Sequence, residues 1–126
     1  MSGTVRLELP TELDGLQDAR HFVTKQLCAW GYDAVASDAA LLTSELVTNA
    51  MRHASPPYAV EVLDLHGGVL VTVEDSGHGL PERRWPPPEA VSGRGLGIVD
   101  SIAAEWGAWP VDHGKVVWFR LAAAER

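Results

Sequence analysis

Two stretches of helical periodicity stand back to back between one alternating segment and a pair of valine-rich runs, and this order leaves few folds open. From about residue 14 to 30, Ala19, Phe22, Val23, Leu27 and Trp30 recur at intervals of three and four, the pattern of one buried helix face. Gly31 ends that run as a C-terminal glycine does. A second helix begins at Asp33 or Ser37 and reaches about Ala54, where Ser55-Pro56-Pro57 stops it. Ahead of both, residues 4–9 alternate with Val5, Leu7 and Leu9 on one side until Pro10, which predicts a first strand at a sheet edge. After them, residues 58–65 and 69–74 flank His66-Gly67-Gly68 and predict a hairpin. Residues 76–92, rich in Gly and Pro, read as a long loop and a candidate lid. A third helix is expected over 95–106, then a last hairpin of 108–111 and 115–121 around Asp112-His113-Gly114. The expected fold is an α+β two-layer sandwich: a mixed, mostly antiparallel sheet covered on one face by three helices.

With 126 residues the chain has room for one core. It carries 17 Asp and Glu against 10 Lys and Arg, a net charge of −7. That balance argues against nucleic acid and anionic membranes as partners, since both select basic patches. Arg83-Arg84 is too small a footprint to change this. The lone Cys28 falls in an apolar helical pattern, which predicts a small core residue in a reducing compartment. No zinc-ligand spacing is present. The alternating N-terminus is unlike a signal peptide, and no run of about eighteen apolar residues suggests a membrane span. A soluble, cytoplasmic protein is expected.

Three segments carry candidate chemistry. Glu45, Asn49 and His53 are spaced by four and drift only about 40° per step around a helix, so they suit a shared ligand. The same wheel gathers Asp38, Glu45, Asn49 and Arg52 opposite Leu42, Leu46, Val47, Ala50 and Met51, which also describes a solvated face. His53 leans toward the apolar arc, as a partly buried histidine does. Asp75-Ser76-Gly77-His78-Gly79 reads either as turn chemistry or as a carboxylate that accepts from an exocyclic amine, with Gly77 and Gly79 letting the backbone pass a flat base. Gly93-Arg94-Gly95-Leu96-Gly97 reads either as a hinge or as a phosphate cradle at a helix start. Arg94 pairs with a terminal phosphate or with a surface carboxylate. The spacing is neither the dinucleotide nor the P-loop pattern.

In order, E-L-V-T-N-A-M-R-H-A, D-S-G-H-G and G-R-G-L-G-I-V-D resemble the asparagine box and the two glycine boxes of the GHKL (Bergerat-fold) ATPase superfamily, over nearly the whole chain. Within it, the Ser-Glu-Leu-Val-Thr-Asn wording, the short lid, Trp106-Gly107 and the ending Gly114-Lys115-Val116-Val117-Trp118 are similar to the anti-sigma-factor serine/threonine kinases in their compact form. The resemblance implies a single ATP-binding domain over 1–126 with a lid at about 76–94. It implies Glu45 as general base, Asn49 as Mg²⁺ ligand, and Asp75 as the carboxylate that accepts from adenine, with Gly77 and Gly79 beside the base. Gly93, Gly95, Leu96 and Gly97 then wrap the phosphates, Arg94 adds charge, and His53 falls at the same site. The family often places a hydroxyl behind the adenine aspartate in the last strand; Val116 stands in the matching region, and Thr72 is the available substitute. Lys115 and Trp118 read as strand residues.

The function implied is an ATP-dependent serine/threonine kinase that phosphorylates an anti-anti-sigma (STAS-type) antagonist, also binds a sigma factor, and regulates transcription by partner switching. An ATP- or ADP-holding module that sequesters a partner without phosphorylating it is the alternative. A detached histidine-kinase catalytic domain fits less well, because no helical hairpin with a phosphoacceptor histidine precedes the helices. Dimerisation through the first strand is a family expectation.

Overall fold

Gly31 lets one helix stop and the next begin. The computed structural model describes residues 3–10, 14–76 and 105–122, and in it α1 (Asp14–Ala29) closes with Gly31 at φ 88°. The Tyr32 N–H donates to the Leu27 carbonyl (2.8 Å) and the Gly31 N–H to the Cys28 carbonyl (3.1 Å), a Schellman closure that satisfies the helix end. α2 (Asp33–His53) follows at once and ends before Ser55 and the two prolines. Together the helices cover one face of the sheet, α1 over the first two strands and α2 over the third and last.

That sheet has five strands: β1 (Thr4–Leu9), β2 (Tyr58–Asp64), β3 (Gly68–Asp75), β4 (Glu105–Val111) and β5 (Gly114–Ala122), in the order β1-β2-β3-β5-β4. All four pairings are antiparallel, and β1 lies at an edge as its pattern predicts. β2 and β3 meet at a tip where His66 takes φ 59° and Gly67 φ 154°, with the His66 N–H donating to the Asp64 carboxylate at 2.8 Å. The Tyr32 hydroxyl donates to the same carboxylate (2.7 Å), which ties the turn between the helices to the hairpin.

The core lies between sheet and helices. Val60 and Val62 of β2, Val69, Val71 and Val73 of β3, and Phe119 and Leu121 of β5 meet Ala19, Val23 and Leu27 of α1 and Ala39, Leu42, Leu46 and Val47 of α2. The opposite sheet face is polar toward β1, where Arg6 pairs with Glu61 (2.9 Å) and Glu74 (3.2 Å) across three strands. It is aromatic toward β4, where Trp109 and Trp118 lie with ring centroids 5.9 Å apart.

Two expectations change. Cys28 is exposed, not a core residue: the buried stripe of α1 runs through Gly15, Ala19, Val23 and Leu27, and the next residue turns about 100° away from it. The third helix falls outside the described residues apart from its expected end, and there Glu105 and Trp106 are strand. They pair with Arg120 and Phe119, so cross-strand partners outweigh a helical pattern that had no stop signal before Gly107. No helix among the described residues is long and apolar enough to cross a membrane.

Phe119 is fully buried at the centre of this core. Phe119→Ala is expected to destabilise the protein by about 3–5 kcal/mol, read from denaturant unfolding.

Candidate functional site

Side chains alternate along a strand, so the row Val69, Val71, Val73 on the helix-facing side of β3 must continue to Asp75. Its carboxylate is thereby delivered to a buried position, 3% exposed. The row Leu121, Phe119, Val117 on β5 continues in the same way to Lys115, also buried. Register sets the two directly across from each other, and the Lys115 Nζ donates to Asp75 Oδ2 at 2.7 Å. An isolated buried carboxylate would be strongly unfavourable, and this ammonium offsets it. Lys115, read from sequence as an ordinary strand residue, is the site residue that reading missed. Its signal was present: a lysine two residues before an alternating apolar row, next to a glycine.

The end of β3 is tied to the end of α2. The Ser76 N–H donates to the Ser55 carbonyl (2.9 Å), the Ser76 hydroxyl to the Pro57 carbonyl (3.5 Å), and the Tyr58 hydroxyl to the Ala54 carbonyl (3.5 Å). Asn49 stands one and a half turns before this junction, about 7.5 Å along the axis, with Glu45 one turn further back. Both residues are half-buried. His53 is exposed rather than partly buried, because the last turn of α2 runs past the edge of the core. Tyr58 follows the register of Ala59 opposite Glu74 and so stands across from Asp75. Burial first, and then the Asp75 charge, raise its phenol above the ordinary value near 10.

The hydroxyl expectation is corrected by the pleat. Thr72 and Val116 are opposite Trp118 and Glu74 and belong to the face away from the helices, so neither backs up Asp75. Gly114 closes the other side: a Cβ there would overlap the Asp75 carbonyl oxygen, so the start of β5 requires glycine to lie this close. A cavity of about 310 Å³ opens at this sheet end, lined by Glu74, Asp75, Ser76, Val111, Asp112 and His113. Gly77, Gly79, Gly93, Arg94, Gly95, Leu96 and Gly97, with the expected lid, lie outside the described residues.

Two helices on one face of an antiparallel sheet, with a buried carboxylate at the end of the central strand, define an ATPase domain of the histidine-kinase-like type. The chain belongs to this family: the histidine kinase-like ATPase domain model matches residues 9–121. It is also similar to the histidine kinase domain of the blue-light activated histidine kinase from Erythrobacter litoralis EL346, at 28% identity and a TM-score of 0.53. The match covers 71% of this chain and 45% of that one, so the chain spans less than half of the structure it matches. No curated protein matches it. Family membership implies ATP binding.

Gly114→Ala is expected to force β5 away from Asp75 and to cost about 2 kcal/mol; a change within about 0.5 kcal/mol in denaturant unfolding would contradict the close approach. Tyr58 sets a pH dependence. Its folded-state value lies above the unfolded one, so its contribution to stability is complete below about pH 10 and is lost as pH rises through the raised value. Tyr58→Phe is expected to make the alkaline fall in stability shallower, measured as melting temperature against pH.

Proposed function

We propose that this chain is an ATP-dependent serine/threonine protein kinase of the anti-sigma-factor type, acting on an anti-anti-sigma (STAS-type) antagonist and regulating transcription by partner switching. The observation that carries the reading is the junction that ties the end of β3, bearing Asp75, to the end of α2, whose preceding turns carry Asn49 and then Glu45. Asp75 is thereby tied to the helix that carries a second carboxylate, Glu45, and an amide, Asn49.

Each residue has a role in this reading. Asp75 accepts from the amino group of adenine. Asn49 would offer an amide oxygen to Mg²⁺, an ion that keeps several waters, binds phosphate oxygens and would neutralise their charge. Glu45 would take the proton of the partner's hydroxyl as that hydroxyl's oxygen bonds to the γ-phosphorus of ATP and the bond from that phosphorus to the bridging oxygen breaks, with ADP as the leaving group. A positioned base contributes about 10²–10⁴-fold. Positioning and charge stabilisation supply most of what phosphoryl transfer needs, and they suit a small site. The antagonist and a sigma factor remain the partners of this proposal, as does pairing of two copies along the open edge of β1.

The test is incubation of the full chain with labelled ATP, Mg²⁺ and STAS-type antagonists, with Glu45→Ala and Asp75→Asn in parallel. Transfer to a serine or threonine is expected, reduced at least about 100-fold in Glu45→Ala with ATP binding kept, while Asp75→Asn loses binding. Binding without any transfer would identify a sequestering module instead, and wild type that binds no ATP would overturn the reading altogether.

A further inference from the structure

We propose that Lys115 is a second reader of the base: it donates to the ring nitrogen beside the amino group that Asp75 accepts. The inference rests on the reading of Asp75 as the adenine carboxylate and adds a residue to it. Lys115 and Asp75 are cross-strand partners on the helix-facing side of the sheet, with side chains 6% and 2% exposed and 2.7 Å between Nζ and Oδ2. Whatever donates to this carboxylate therefore brings its neighbouring atoms to the ammonium. The Watson–Crick edge of adenine places an amino donor next to the N1 acceptor, and a carboxylate beside an ammonium is its complement.

Two further observations favour this role. An ammonium has three donors on a flexible stem and no acceptor, so it holds Oδ2 and donates to the base at once. The pleat also removes the alternatives: Thr72 and Val116 belong to the other face, and no hydroxyl from β3 or β5 takes this position. Lys115 fills the place where a neutral hydroxyl was expected, and it brings charge as well as a donor.

The experiment is calorimetric titration of the full chain with ATP and with 1-deaza-ATP, in which the N1 nitrogen is a C–H group. Wild type is expected to bind the deaza compound about tenfold more weakly, the value of one hydrogen bond. Lys115→Met is expected to bind ATP about as weakly as wild type binds the deaza compound, and to lose nothing more when N1 is removed. Wild type with equal affinity for both nucleotides overturns the proposal without any variant. So does Lys115→Met that keeps the wild-type ratio, or that binds ATP more tightly, which would make Lys115 a competitor of the base. If Lys115→Met does not fold by circular dichroism, the wild-type comparison decides alone: a loss of about tenfold with 1-deaza-ATP supports the proposal, and equal affinity overturns it. Failure of the underlying reading looks different: wild type binds no ATP, or Asp75→Asn binds it unchanged.

Discussion

The period-two alternation of β3 is the constraint on which the site depends. Three valines commit one side of this strand to the core, and the next position on that side is Asp75. Moving the carboxylate by one residue would place it among Glu61, Glu74 and Arg6 on the solvated face, where it would be one more surface acid. Lys115, Tyr58 and Gly114 follow from that placement: one offsets the charge, one lines the row, and one makes room for the backbone.

The two kinds of ion pair in the molecule have different meanings. The Arg6 network is exposed, and pairs of that kind contribute about 0–1 kcal/mol each. The Asp75–Lys115 pair is buried, and replacing such pairs by apolar residues is often neutral or stabilising by about 1–4 kcal/mol. Stability alone therefore gives little reason to hold a carboxylate and an ammonium there. Recognition of a polar ligand, as proposed above, would give one.

Most of the framework was legible because single residues punctuate it. Gly31 separates the helices, Ser55-Pro56-Pro57 stops the second, and His66-Gly67 turns the hairpin, each through local backbone chemistry. What was not legible depended on partners distant in sequence. Glu105 and Trp106 continued a helical pattern until Arg120 and Phe119 paired with them, and Cys28 looked apolar by its neighbours although the buried stripe of α1 passes it by. Asp75 could be picked out by wording, but its burial could not. Lys115 was hidden because only the register between β3 and β5, set 40 residues apart, reveals its counterpart. The same register, not composition, shows that Val116 and Thr72 have no bearing on Asp75.

Gly107 has one more effect at the far edge of the sheet. Its missing side chain leaves room for the Trp118 ring, at 3.0 Å from where a Cβ would be, and Trp109 leans on that ring at 39°. Two indoles this near and this tilted couple their electronic transitions. A coupled chiroptical signal from the β4–β5 hairpin would follow, with Trp118 on the strand that also holds Lys115, and it would report whether that strand is in register.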